Sequence, residues 1–258
     1  MHPPLAASVD IAGVDGCKAG WVAVILRLGE GPTVKVCPTF GRLLAGLAGD
    51  AVVAVDMPIG LPDFTHHGGR GPEALVRRFL GQRQSSVFSI PSRAAVYAAD
   101  EPFTTIERWY DAHRVASAVA RETSEPPRGV SIQAFGIFSK IRELDGLLRD
   151  RPDLRARVIE SHPELAFWRL NGKQAMTLPK KVKGRINPPG MEERKALLAE
   201  HGLERGFLDA PPRGAGEDDF LDAAAMLLIA ARHARGEAQP FPNPPGTDEY
   251  GIPIAIWA

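Results

Sequence analysis

The chain has 258 residues, 44% of them hydrophobic, enough for one large domain with a substantial core or for one domain carrying an insertion. Its 31 basic and 31 acidic residues cancel, so no global field draws it onto polyanions or anionic membranes, and any polyanion site must be local. Two cysteines without metal or framework spacing, no basic-then-apolar leader, and no apolar run of about 18 residues predict a soluble cytoplasmic protein with reduced thiols and no membrane partner.

Val9–Val14 and Trp21–Leu28 are short β-branched or apolar runs around a glycine-containing turn, which predicts a hairpin, and Thr33–Cys37 extends it to a three-stranded meander. Phe40–Leu47 has apolar residues at helical spacing, and Ala51–Val55 is a continuous apolar run that predicts a fully buried strand. From about 64 to 150 the patterns are helical, at Pro72–Leu80, Phe103–Arg121 and Phe135–Leu148, with no convincing strand from Arg70 onward; this stretch reads as a helical insertion. Arg157–Ser161 predicts another strand, ended by His162-Pro163 before a helix at Glu164–Leu170. Helices follow at Met191–Glu200 and Asp218–Arg235, then a proline-rich extended tail at Gln239–Thr247, with Ile252–Trp257 docking back. The expectation is one domain over 1–258.

Acidic residues stand where a buried strand or an apolar helix face ordinarily excludes them: Asp15, Asp56, Glu160, and the group Asp218, Asp219 and Asp222. Burying a charge is costly unless it is paired or bound to metal, so each needs compensation. Asp15 ends the first strand and Asp56 the fourth; if those strands are parallel neighbours, both carboxylates emerge at one sheet edge. Asp219 and Asp222 begin a helix continuing as AAAMLLIAA, whose small alanines permit close approach to the sheet. Oxygen-only ligands from several elements suit magnesium or manganese, and a two-metal phosphoryl-transfer site is the natural candidate.

Plainer alternatives stand beside these. Asp15 before glycine is also a turn residue, Asp56 a loop cap, and Asp218 and Asp219 acids at a helix start; only Asp222 lies too deep for capping. Glu160 is equally suited to an arginine partner. The run from Arg70 to Arg93 gathers arginines, including Arg83 and Arg93, with Ser85, Ser86 and Phe88, as a phosphate-gripping segment or a solvated basic face. Lys173–Arg185 is a second basic stretch, and His162 a candidate acid or base or a structural histidine. Nucleotide-loop, serine-hydrolase and zinc motifs are absent from the sequence.

The segments GVDGCKAGW (13–21), VDMPIGLP (55–62), RQSSVFSIP (83–91), ESHPE (160–164) and DDFLDA (218–223) resemble the domain-of-unknown-function family 429, described as predicted nucleases with a ribonuclease H-like fold. The resemblance spans nearly the whole chain. It implies an α/β fold: a ribonuclease H-like five-stranded mixed sheet flanked by helices, in the element order already read. It also implies two divalent ions held by Asp15, Asp56 and Asp222 or Asp219, while Glu160 has no fixed counterpart.

The function expected is a metal-dependent phosphodiesterase on nucleic acid, with Asp15, Asp56, Glu160 and Asp222 catalytic, Asp15, Asp56, Asp219 and Asp222 holding Mg2+ or Mn2+, and Lys18, Arg83, Ser86 and Arg93 meeting substrate. The alternatives are an ATP phosphotransferase of the actin-like and sugar-kinase group, suggested by the DGCKAG hairpin, and a non-catalytic binding protein that keeps the acidic cluster for stability.

Overall fold

The computed structural model describes residues 8–99 and 103–258; residues 1–7, part of the stretch read for a leader, lie outside the described residues. β1 (Ile11–Cys17), β2 (Gly20–Leu26) and β3 (Thr33–Cys37) form an antiparallel meander, followed by α1 (Phe40–Leu44) and β4 (Val52–Asp56). Next come β5 (Thr65–His66), α2 (Pro72–Arg77), a 3-10 turn (Gly81–Ser86), α3 (Arg93–Tyr97), α4 (Ile106–Glu122), β6 (Ser124–Glu125), α5 (Ile132–Phe135) and α6 (Phe138–Asp150). β7 (Val158–Glu160) leads into α7 (Pro163–Leu170), the small hairpin β8 (Lys181–Val182) and β9 (Arg185–Ile186), α8 (Pro188–Glu200), α9 (Arg205–Leu208), α10 (Glu217–Ala234), β10 (Pro240–Thr247) and β11 (Pro253–Trp257).

The main sheet has the order β3-β2-β1-β4-β7, with β4 parallel to both β1 and β7. It is the mixed five-stranded sheet flanked by helices that the sequence predicts, and its order and directions agree with the ribonuclease H-like expectation. Three details differ from the sequence reading. The helix expected over Phe135–Leu148 is two helices, because Gly136, a poor helix former, follows α5. Inside the region read as helical, Ser124–Glu125 pairs with Thr65–His66 as two short parallel strands. The proline-rich tail is itself a strand, β10, paired antiparallel with β11, and Ser161 bridges to Trp257 to tie that pair to the end of β7.

Strand alternation divides the core. Ile11, Cys17, Val22 and Ala54 face a layer built from α7, α8 and α10, whereas Ala12, Val14, Val53 and Val55 face one built from α1, α3, α4 and α6. Helix α10 lies directly on β1. A Cβ added at Gly13 would stand 1.9 Å from Leu227 N and 2.1 Å from Ala223 O, so only glycine lets strand and helix backbones come this close. Ala223, on the contacting face, is adjacent in sequence to Asp222. The approach therefore delivers that aspartate to the tip of the sheet.

Candidate metal centre

Asp15 and Asp56 are register partners across the parallel pair β1–β4. Aligned residues of neighbouring strands project to the same face, which here is the α10 face. There Asp222 joins them: one carboxylate oxygen from each of the three lies within 4.8 Å of the others, a group that can hold a metal ion. Asp15 and Asp222 are buried, and Asp56 is partly open to the adjoining cavity.

Their partners are few. The Gly16 N–H donates to Asp15 Oδ1 at 2.6 Å, and Lys180 Nζ forms an ion pair with Asp222 Oδ2, while Asp222 Oδ1 is buried without a hydrogen-bond partner. Burial, then the charges of Asp56 and Asp222, hold the Asp15 carboxyl well above the usual range. Burial first and Asp222 second push Asp56 up to about 8. Burial also raises Asp222, against the pull of Lys180. For Lys180, burial favours the neutral amine, but the charges of Asp222 and Asp15 override it and keep the ammonium protonated. Three carboxyls share one ammonium, so without an ion protons relieve the excess charge, and Asp222 Oδ1 keeps an unused acceptor position. The donor set, all carboxylate oxygen, fits a hard divalent ion.

Asp219 does not join this group. It is half-buried one helical turn earlier, where its Oδ2 accepts the Gly216 N–H at 3.1 Å and caps α10. Glu160 aligns with Val55 rather than Asp56, so alternation turns it to the other face. There it accepts from Arg70 at 2.7 and 3.0 Å and from Ile59 N at 2.7 Å, and Arg70 also bonds Glu73 at 2.7 Å. Glu160 is thus the arginine-paired carboxylate of the two alternatives. Its carboxyl stays raised by burial despite that partner.

A cavity of about 160 Å³ adjoins Asp15 and Asp56, and Arg70, Ser86, Lys140, Glu160 and His162 also line it. Ser86, expected to meet substrate, is therefore beside the centre, with its Oγ donating to Arg83 O at 2.7 Å. Lys18 is exposed and Arg83 half-buried, and both lie outside the lining. Arg93 is committed elsewhere: its buried guanidinium bonds Asp145 and, at 2.6 Å, Asp248. Burial pushes the His162 ring down to about 4, its Nδ1 accepting the Glu164 N–H at 3.2 Å as the cap of α7.

Two lysines escaped the sequence reading. Lys180 sat within the basic stretch 173–185 with nothing to single it out. Lys140, in α6, reaches across β1 because Gly16 has no side chain: a Cβ there would meet Lys140 Cδ at 2.7 Å. Its ammonium donates to Gly20 O at 2.5 Å and lies 4.6 Å from the Trp21 ring centroid. Helical spacing carries no sign of such a reach.

No curated protein and no solved structure matches the chain at a significant level. The family model described as "Protein of unknown function (DUF429)" matches residues 13–247, from the glycine that admits α10 to the end of β10, and the chain therefore belongs to the DUF429 family.

Proposed function

We propose that the protein is a metal-dependent phosphodiesterase acting on nucleic acid, with two magnesium or manganese ions held by Asp15, Asp56 and Asp222. One observation carries this reading: carboxylates from β1, β4 and α10 converge within 4.8 Å while Asp222 Oδ1 lacks any partner. A fold that gathers three acids and pairs them with one lysine retains a cost that divalent cations would offset. When bound, such ions supply Lewis-acid stabilisation of a phosphoryl transition state and lower the pKa of an attacking water.

The chain's own residues do the rest. Asp56, with its carboxyl near 8, gives up a proton on becoming a ligand, so ion binding releases acid and strengthens with pH. Lys180 neutralises Asp222 in the ion-free protein, and with Asp222 engaged as a ligand its ammonium would be available to phosphate oxygen. Lys140, at the cavity wall, places a second cation within the same space. Glu160 holds Arg70 in position. His162 stays neutral at neutral pH and acts as a hydrogen-bonding wall rather than as an acid.

The Lys180–Asp222 pair also favours a second reading, a non-catalytic protein whose acidic cluster is neutralised internally. Calorimetric titration with Mg2+ and Mn2+ beside an oligonucleotide cleavage assay separates the two. Wild type is expected to bind ion and cleave, and Asp15→Asn to lose both. A wild type that binds no divalent ion overturns the phosphodiesterase; ion binding with nucleotide turnover but no cleavage makes the protein a phosphotransferase instead.

A further inference from the structure

The cavity beside the carboxylates has a character that ion binding does not require. Asp15 and Asp56 stand on its border, but Met57, Val87, Phe88, Ile90, Ile137 and Ile256 give it apolar walls. Met57 follows directly from β4, Val87, Phe88 and Ile90 come from the segment after the 3-10 turn, and Ile137 joins α5 to α6. The long excursion between β4 and β7 thus contributes most of that wall. Its volume is about 160 Å³.

Against the apolar part of these walls a sugar would surrender hydration and recover few hydrogen bonds. A flat heteroaromatic ring loses little and gains from contact with aliphatic side chains and the half-buried Phe88. Ser86 lines the same space, and its Oγ, which donates to Arg83 O, can still accept from a ring edge; the His162 ring, its nitrogens engaged by Glu164 N and Ser86 O, adds a flat wall, while Lys140 offers charge to a phosphate. A base still stacked inside a duplex cannot enter an enclosed site; it must first be unpaired and turned out.

We propose that this cavity receives one unpaired nucleobase whose phosphate reaches Asp15 and Asp56, so that the substrate is single-stranded nucleic acid rather than the interior of a duplex. The inference rests on the phosphodiesterase reading and names the substrate form that reading leaves open.

The experiment is calorimetry in saturating Mg2+ with two probes, adenosine 5′-monophosphate and ribose 5-phosphate, which differ only in the base. Wild type is expected to bind the nucleotide at least about tenfold more tightly. Phe88→Ala should weaken the nucleotide at least about fivefold, the lower end of a base-stacking loss, and leave ribose 5-phosphate unchanged. Ile137→Trp, at a half-buried position, should fill the cavity and bring the two probes to equal affinity. In parallel, a single-stranded oligonucleotide is expected to be cut at least about tenfold faster than its duplex. Equal affinity for the two probes in wild type, or a duplex cut as fast as the single strand, overturns the base receptor; with ion binding intact the metal centre survives that result. Loss of ion binding in wild type overturns both.

Discussion

Asp248 and Asp222 are both buried carboxylates facing a cation, yet their surroundings are opposite. Asp248 accepts from Leu61 N at 3.1 Å, Tyr250 N at 3.0 Å, Ile252 N at 2.9 Å and Arg93 at 2.6 Å. Asp222 holds Lys180 on one oxygen, has nothing on the other, and shares its space with Asp15 and Asp56. A lone unpartnered oxygen does not separate the groups, because Asp145 Oδ1 in the Arg93 cluster also lacks a partner. The balance of charge does. Arg93 meets the buried acids Asp145 and Asp248, with Arg149 3.9 Å from Asp145 and the solvent-open Glu249 3.4 Å from Arg93, so two buried acids and one exposed acid face two cations, whereas three acids face one lysine at the sheet tip. The first cluster is complete as built. The second has one cation for three carboxyls, a group that can hold a metal ion.

Mutations that treat the clusters alike should therefore give opposite results. Asp248→Ala leaves a buried guanidinium short of a partner and three backbone donors without an acceptor, and should cost about 3–5 kcal/mol in denaturant unfolding. Gly13→Ala pushes α10 off β1; unfolding should show a loss of about 3 kcal/mol, with ion binding lost as Asp222 is displaced. Asp15→Asn should instead raise the melting temperature of the ion-free protein, since it removes one of three repelling acids, and lower Mn2+ affinity by at least about 100-fold, more than loss of a supporting hydrogen bond would. A destabilised Asp15→Asn protein would place both clusters in the same class.

Titration sharpens the contrast. An Asp in the unfolded chain ionises near 3.9, while folded Asp56 holds its proton to about 8. Across that window the folded state binds more protons, so the ion-free protein should lose stability as pH rises from about 4 to about 8, with Asp15 adding in the same direction. Saturating Mn2+ should flatten or reverse the slope, measured as melting temperature against pH. Last, Asp153→Ala, which breaks the exposed pair with Arg151, should change neither melting temperature nor ion affinity measurably.

The sheet was legible because its cues are local: β-branched runs, a glycine turn and an aspartate at the end of each of two strands. Asp15 and Asp56 could be read as neighbours because parallel pairing follows from element order. Glu160 was harder. Its strand was visible, but which face it used depends on register with β4, and Arg70, its partner, is 90 residues away. Arg93 reads as a substrate-binding cation because nothing near it in sequence announces Asp145 or Asp248, the acids that engage it. Lys180 and Lys140 depend on a loop and a helix reaching the sheet tip, and neither reach leaves a periodic trace. Gly13 was passed over as one glycine in an apolar run, although the alanine stripe of α10 pointed to the close contact it permits.

That contact sets a gauge. The separation between Asp222 and Asp15 is governed by two backbones pressed together at Gly13, not by side chains free to adjust. Small ions coordinate oxygen at about 2.1 Å and larger ones at about 2.4 Å, so a spacing clamped by main chain discriminates ionic radius more sharply than loop-borne ligands do. Under the proposed metal-binding reading, position 13, which carries no side chain at all, would set the ionic radius that the three acids accept.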